Sequence, residues 1–136
     1  HDAKDMRQDR FANILSSGAC MAYVAGAARP ELDANLERSW DAVRFGIPSS
    51  APHGAHFEAR RYWRGPMWPF LNALIALGLK DSGRSDQAER LRDETARVIR
   101  DGGFNENIDP LDGTPCGGTD FTWTAAIWLT WAGRED

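Results

Sequence analysis

Apolar residues recur every three or four positions along much of this chain, which is the spacing of a helix with one buried side. The first clear stripe follows Pro30, a residue that a helix tolerates in its first turn. This stripe consists of Leu32, Leu36, Trp40 and Val43. Charged residues occupy the opposite side of the predicted helix. We therefore expect one side to lie in the core and the other to face water.

Two further helices are predicted to follow as a hairpin. The first begins near Gly65 and is apolar nearly all round as far as Leu79, so we expect it to be buried on all sides. The second has Ser85 as its N-cap and ends at two glycines, and it has one apolar face. Its solvent side is predicted to carry two i,i+4 ion pairs, Arg90 with Glu94 and Asp93 with Arg97. A buried helix followed by an amphipathic helix is typical of an inner and an outer helical layer.

A last helix is predicted near the end of the chain. It starts near Thr119 or Asp120, with Asp120 as the capping residue, and it is almost without a polar face. We expect it to be a second inner helix, with Trp128 and Trp131 in the core. The small residues of segment 11–28 predict close helix packing. Because no sustained period-two alternation occurs, the predicted fold class is all-α, with hairpins of inner and outer helices.

The composition is that of a globular and mildly acidic chain. It has 136 residues, of which 42% are hydrophobic and 26% charged, and a formal net charge of -4. This balance argues against a nucleic-acid or anionic-membrane surface, and no apolar run reaches the ~18 residues of a membrane span. The N-terminal residues lack the apolar segment of a signal peptide, so we expect a cytoplasmic protein. Because the chain begins with His1 rather than Met, we also expect a processed or excised piece.

Cysteine and histidine give no indication of a metal or redox centre. Cys20 and Cys116 lie far apart and match neither a CxxC motif nor a zinc spacing, so we expect two unrelated buried thiols rather than a disulfide. His53 and His56 lie in a Pro- and Gly-rich stretch without a carboxylate cluster, and we expect them to be loop residues. We therefore predict no nucleotide or redox cofactor and assign no metal-ligating residue.

The candidate chemistry lies in two long loops, residues 46–59 and 104–119, each of which leads to a predicted inner helix. The loops and the helix beginnings supply a carboxylate, a cation and several aromatic rings, namely Tyr62, Trp63, Arg64, Trp68, Glu106, Phe121 and Trp123. If the two helix beginnings share one rim, they form an aromatic pocket of the kind that suits a sugar. The alternative is that the tryptophans are core residues and that Glu106 is merely solvated.

Three blocks of the sequence resemble the C-terminal third of a clan of glycoside hydrolases that includes mannosylglycerate and glucosylglycerate hydrolases, processing α-glucosidases and trehalases. The blocks are residues 62–69 (YWRGPMWP), 103–110 (GFNENIDP) and 117–124 (GGTDFTWT). The paired aromatics before Arg64 favour the hydroxyacid-glycoside branch. The resemblance implies part of an (α/α)6 barrel that inverts the anomeric centre, with Glu106 as the general base. It also implies that Tyr62, Trp63 and Trp68 line the sugar and aglycone sites, and that Arg64 and Gly65 belong to the same rim motif.

The resemblance leaves one catalytic group without a match. An inverting enzyme needs a second carboxylate ~6.5–9.5 Å from the base, and the aromatic-rich motif that carries this acid in the clan has no counterpart here. The chain also has room for only about five helices. We therefore expect residues 1–136 to be one partial domain that needs the remainder of a barrel, supplied by an upstream segment, another chain or self-association. Alone, it should be inactive and should aggregate or pair. The alternatives are a carbohydrate- or partner-binding helical module without catalysis and an inactive structural fragment.

Overall fold

A computed structural model describes residues 4–5, 10–11 and 15–134, and most of the ordered segments are helices. The helices are α1 (Met21–Val24), α2 (Pro30–Asp41), α3 (Pro69–Asp81), α4 (Ser85–Gly102) and α5 (Thr122–Ile127). The last of these continues as a π-helical turn, Trp128–Ala132, and single 3-10 turns occupy Ser17–Cys20 and Tyr62–Arg64. Two antiparallel pairs of two-residue strands complete the fold, β1 (Lys4–Asp5) with β2 (Arg10–Phe11) and β3 (Asn107–Ile108) with β4 (Pro115–Cys116). The all-α class is confirmed.

Helix α2 has the predicted two-sided character. Leu36 and Trp40 are buried, and Leu32 and Val43 are partly buried against the same core cluster. Pro30 occupies the first turn. The spacing of four apolar residues was therefore sufficient to identify both the helix and its buried face.

Helix α3 is the central element of the structure, and it packs against α1, α4 and α5. It begins at Pro69, so the prediction of a start near Gly65 is wrong. The residues before it are extended because Met67 forms backbone bridges with Pro48 on one side and with Ile108 on the other. Because these long-range pairings keep Met67 extended, the helix begins at Pro69 and not at Pro66.

The prediction that α3 is buried on all sides is also wrong. Ile75 and Leu79 are fully buried, whereas Leu74 is 42% exposed and Leu77 is 52% exposed. Helices α1, α4 and α5 cover the other sides of α3, and no described element covers these two leucines. An apolar stripe therefore faces outwards in the described part of the chain.

Helix α1 comes very close to α3 at Gly78. A Cβ atom on Gly78 would lie 2.5 Å from the backbone nitrogen of Val24 and 2.7 Å from the carbonyl carbon of Tyr23. The close packing predicted for segment 11–28 is thus present at α1, although the helical part of that segment is short and residues 12–14 lie outside the described residues.

Helix α4 begins at Ser85, and the capping position is Arg84, which makes no side-chain cap. The predicted N-cap role of Ser85 is therefore wrong by one residue. Gly103, with φ of 83°, ends the helix as expected. The predicted Arg90–Glu94 pair is present at 2.8 Å, but Glu94 is not on the solvent side. Its other carboxylate oxygen accepts 2.7 Å hydrogen bonds from the indole nitrogen of Trp40 and the backbone nitrogen of Gly46.

The last helix starts at Thr122, two or three residues later than predicted. Its N-cap is Phe121 without a side-chain cap, and Asp120 has a left-handed backbone with φ of 53°, so the predicted capping by Asp120 is wrong. Trp128 and Trp131 pack against a core cluster but are only half-buried, so they lie at the edge of the core rather than within it as predicted. None of the described helices has the length and apolar content that crossing a membrane requires.

Candidate active site

The block at residues 62–69 forms a rim ahead of helix α3. Tyr62 has an unusual left-handed backbone, with φ of 41°, and its carbonyl accepts hydrogen bonds from the Trp68 indole at 3.3 Å and the Ser49 hydroxyl at 3.4 Å. The same Ser49 oxygen accepts a 3.1 Å bond from the backbone nitrogen of Gly65. The long loop before the block therefore holds it in place.

Aromatic rings that follow the two predicted loops meet in one continuous cluster. Trp63 stacks on Trp68 with ring centroids 4.1 Å apart and an angle of 4° between the planes. Edge contacts extend the cluster through Phe70 of α3 to Trp123 of α5. The members are Tyr62, Trp63, Trp68, Phe70, Phe121 and Trp123. The structure thus brings together all five aromatic residues that the sequence singled out, and it adds Phe70.

The rings differ in accessibility. Trp63 is 43% exposed, and Tyr62 and Trp123 are also exposed, whereas Trp68 is only 2% exposed and lies under Trp63. Trp68 therefore supports an exposed ring and has no open face of its own in this chain. Phe121 is half-buried.

The other two predicted rim residues are engaged within the loop. Arg64 pairs with Glu58 at 2.9 Å and donates to the carbonyl of His56 at 3.2 Å. Gly65 is buried, and a Cβ atom there would lie 2.1 Å from the carbonyl oxygen of Glu58. Gly65 is thus required by the close passage of two backbone segments.

Glu106 is half-buried on the loop just before strand β3. Its backbone nitrogen donates to the carbonyl of Gly118 at 2.8 Å, and its carboxylate oxygen Oε2 accepts a 3.2 Å hydrogen bond from the backbone nitrogen of Gly118. In the described part of the chain no donor contacts the second oxygen, Oε1. The carboxylate is therefore held at one oxygen, while its other oxygen has no hydrogen-bond donor among the described residues.

Hydrogen bonds to backbone groups join the Glu106 loop to both inner helix beginnings. Met67 and Ile108 exchange a reciprocal pair of 2.9 and 3.0 Å, which ties the loop to the start of α3. The Thr124 hydroxyl of α5 donates to the carbonyl of Asn105 at 2.7 Å. The beginnings of α3 and α5 therefore lie on one rim, and the loop that carries Glu106 is hydrogen-bonded to both of them.

A salt-bridge clamp joins Arg60, just before the block at residues 62–69, to Asp109 and Asp112 at the end of the block at residues 103–110 and just after it. The sequence alone did not indicate this clamp. The guanidinium of Arg60 donates to the buried Asp109 carboxylate at 2.7 Å and to Asp112 at 2.8 Å. The pKa of Asp112 is lowered, first by the hydroxyl of Thr114 and then by other donors that include Arg60. The Asp-Pro and Asp-Gly pairs of this segment signalled a turn, but the sequence contained no indication that Arg60 was the partner.

The thiols and loop histidines form no reactive cluster in the described part of the chain, although Cys116 lies in β4 beside Gly117 and the His56 carbonyl bonds to Arg64. Cys20 and Cys116 are free, as predicted, although Cys116 is half-buried rather than buried. Burial raises the pKa of Cys20 to about 12 and also raises that of Cys116, so neither is poised as a nucleophile. His53 and His56 are exposed loop residues. Among the described residues, no group of three or more His, Cys, Asp and Glu side chains is placed to hold a metal ion.

The helical layers and the aromatic, carboxylate-bearing rim define a class of protein, the helical barrels of glycoside hydrolases. The chain belongs to the mannosylglycerate hydrolase MGH1-like glycoside hydrolase domain family, whose model matches residues 1–124. It is 37% identical over 132 residues to mannosylglycerate hydrolase MGH1 of Selaginella moellendorffii, covering 94% of this chain and 27% of that protein. It is 41% identical over 92 residues to glucosylglycerate hydrolase of Mycolicibacterium hassiacum, covering 67% of this chain and 21% of that protein. The chain thus spans about a quarter of the length of these curated relatives.

Solved structures show the same fold. The GH63 mannosylglycerate hydrolase of Thermus thermophilus in complex with glucose superposes with a TM-score of 0.83 at 32% identity, covering 90% of this chain and 33% of that one. The same enzyme in complex with Tris and D-glycerate gives a TM-score of 0.86 at 31% identity, with coverage of 95% and 33%. The prediction of a partial (α/α) barrel is therefore confirmed.

Proposed function

We propose that this chain is part of a glycoside hydrolase that cleaves an α-glycoside with inversion at the anomeric carbon, and that Glu106 is its general base. The observation that carries the proposal is the setting of Glu106. The carboxylate is half-buried on a loop bonded to both inner helix beginnings, and Gly118 holds one of its oxygens. A base of this kind must be fixed in place and yet leave an oxygen for water.

The chemistry follows from that geometry. Glu106 takes a proton from a water molecule, whose oxygen attacks the anomeric carbon as the bond to the leaving oxygen breaks. A second carboxylate, ~6.5–9.5 Å away in inverting enzymes, protonates the leaving oxygen. We propose that the remainder of the barrel supplies this acid, because no residue of this chain matches the acid motif of the clan.

The exposed rings of Tyr62, Trp63 and Trp123 are the proposed sugar-contacting surface. Sugars present apolar C–H faces that pack on aromatic rings, while their hydroxyls need charged or polar partners. Trp68 and Phe121 support these rings, and Arg64 and Gly65 shape the rim. The names of the relatives favour glucosyl- or mannosylglycerate as the substrate, with other α-glucosides as alternatives.

The remainder of the barrel is the proposed partner of the chain, which is a single partial domain over residues 1–136. The large apolar side chains of Leu74, Leu77 and Leu129 are exposed along the inner helices, and a packed barrel would cover such residues. The isolated chain should therefore have no glycosidase activity. Turnover of an α-glucoside by the purified 136-residue chain alone would refute this part of the proposal.

Replacing Glu106 by Gln in the complete barrel assembly tests the assignment. Glu106→Gln keeps the shape of the side chain but removes the base, so kcat should fall by about 10²–10⁴-fold while sugar binding is retained. Glu89→Gln, the same change at an exposed position of outer helix α4, is the matched control and should keep normal rates. A Glu106→Gln variant with near-normal turnover would show that Glu106 is not the base.

A binding module without catalysis is the second candidate, and the exposed ring of Trp63, which stacks on the buried Trp68, favours it. A sugar titration followed by Trp fluorescence, combined with a turnover assay on the complete assembly, separates the candidates. Saturable quenching without product formation would favour the binding module. An inactive structural fragment should show neither response.

A further inference from the structure

The turn at Gly117 and Gly118 lies directly against the Glu106 carboxylate. Gly117 has a left-handed backbone with φ of 70°, which presents the Gly118 nitrogen to Oε2 at 3.2 Å. A Cβ atom on Gly117 would lie 2.6 Å from that same oxygen and 2.9 Å from the Cβ of Glu106. It would also lie 2.9 Å from the amide nitrogen of the buried Asn107, so a side chain at position 117 would collide with both Glu106 and Asn107.

We infer that Gly117 is a positioning residue for Glu106, and that the turn selects Oε1 as the oxygen that accepts the proton of water. The inference rests on the proposed function, in which Glu106 is the base. Only the missing side chain of Gly117 allows Oε2 to reach the Gly118 N–H. Because Oε2 already accepts the Gly118 N–H, Oε1 is the oxygen that remains to accept a proton from the attacking water.

Gly117→Ala in the complete barrel assembly tests this directly. The added methyl group should displace the carboxylate and lower kcat by about 100-fold, because a misplacement of about 1 Å has effects of this size. KM should change by less than about threefold, since the sugar-contacting rings lie elsewhere. Thermal melting of each variant is recorded with the kinetics.

Gly83→Ala is the matched control for backbone strain. Gly83 has φ of 78°, close to that of Gly117, but a Cβ atom there meets nothing within 4 Å. This variant should therefore suffer the same left-handed strain and keep kcat within about twofold. Equal losses of kcat in both variants would overturn the inference, because strain alone would then explain them.

A stability cycle with Glu106→Ala covers the case in which Gly117→Ala folds poorly. If the methyl group collides with the carboxylate, removing that carboxylate should restore much of the lost melting temperature. The inference fails if Gly117→Ala is equally destabilising with and without the Glu106 side chain. The two proposals can fail separately. If the Glu106→Gln variant keeps its activity, the assignment of Glu106 as the base is refuted. If the Glu106→Gln variant is inactive but the Gly117→Ala variant has a normal kcat, only the positioning role of Gly117 is refuted.

Discussion

Replacing Asn72 by Ala should destabilise the complete barrel assembly by about 2–6 kcal/mol, because it removes the partner of two buried backbone groups. Asn72 is fully buried on α3; its carbonyl oxygen accepts from the Ile47 nitrogen at 2.7 Å, and its amide donates to the Ile47 oxygen at 3.1 Å. Each unpaired buried group costs about 1–3 kcal/mol. The carbonyl of Trp68 also loses the Asn72 amide, but it keeps its bond from the Asn72 backbone nitrogen.

Urea unfolding and amide hydrogen exchange measure this effect globally and locally. At an m-value of about 2 kcal/mol/M, the midpoint should fall by about 1–3 M. Exchange of the Ile47 amide should accelerate about tenfold for each 1.4 kcal/mol of lost protection. Asn35→Ala is the matched control, because Asn35 is half-buried on α2 and its side-chain oxygen accepts a bond from the guanidinium of Arg38. An unchanged midpoint together with normal protection of Ile47 would refute the reasoning.

Two further predictions concern the packing of helix α1. Gly78→Ala should destabilise the assembly by about 1–3 kcal/mol, because the new Cβ would meet the backbone of Tyr23 and Val24, and thermal melting would detect this. The second prediction concerns Asp33, whose pKa is lowered first by the hydrogen bond from the Tyr23 hydroxyl and then by the one from Arg84. Because the folded state favours the ionised carboxylate, Asp33 stabilises the fold at pH values above the ordinary carboxyl pKa. This stabilisation is lost as the pH falls towards the lowered, folded-state pKa. Asp33→Asn should therefore lower the free energy of unfolding at pH 7 and flatten its loss as the pH falls below about 5, as followed by urea titrations. A variant with an unchanged acid limb would contradict this.

The helices that the sequence predicted well are those whose apolar periodicity is local. Helix α2 was identified by its stripe, and helix α4 was displaced by only one residue at its cap. The start of α3 was placed too early because both Pro66 and Pro69 are compatible with a first turn. The choice between them depends on the pairing of Met67 with Ile108, which the local sequence does not contain.

The candidate site shows the same division between local and long-range information. Residue types alone indicated an aromatic and acidic rim, and the structure gathers those aromatic rings into one cluster. The Arg60–Asp109 clamp joins residues 49 positions apart, and no local pattern indicated it. Glu94 was interpreted as a surface ion-pair partner because its i,i+4 neighbour Arg90 is visible in the sequence, whereas its bond to Trp40 spans 54 positions.

The reciprocal backbone pair between Met67 and Ile108 has a consequence for how such an enzyme can change its substrate. Main-chain hydrogen bonds do not depend on which side chains the two residues carry. Exposed rings such as Trp63 can therefore be exchanged during evolution while the backbone that carries Glu106 keeps its place. Under the proposed function, sugar preference and the activation of water are therefore separable traits, and new specificities would arise by substitution at the rim.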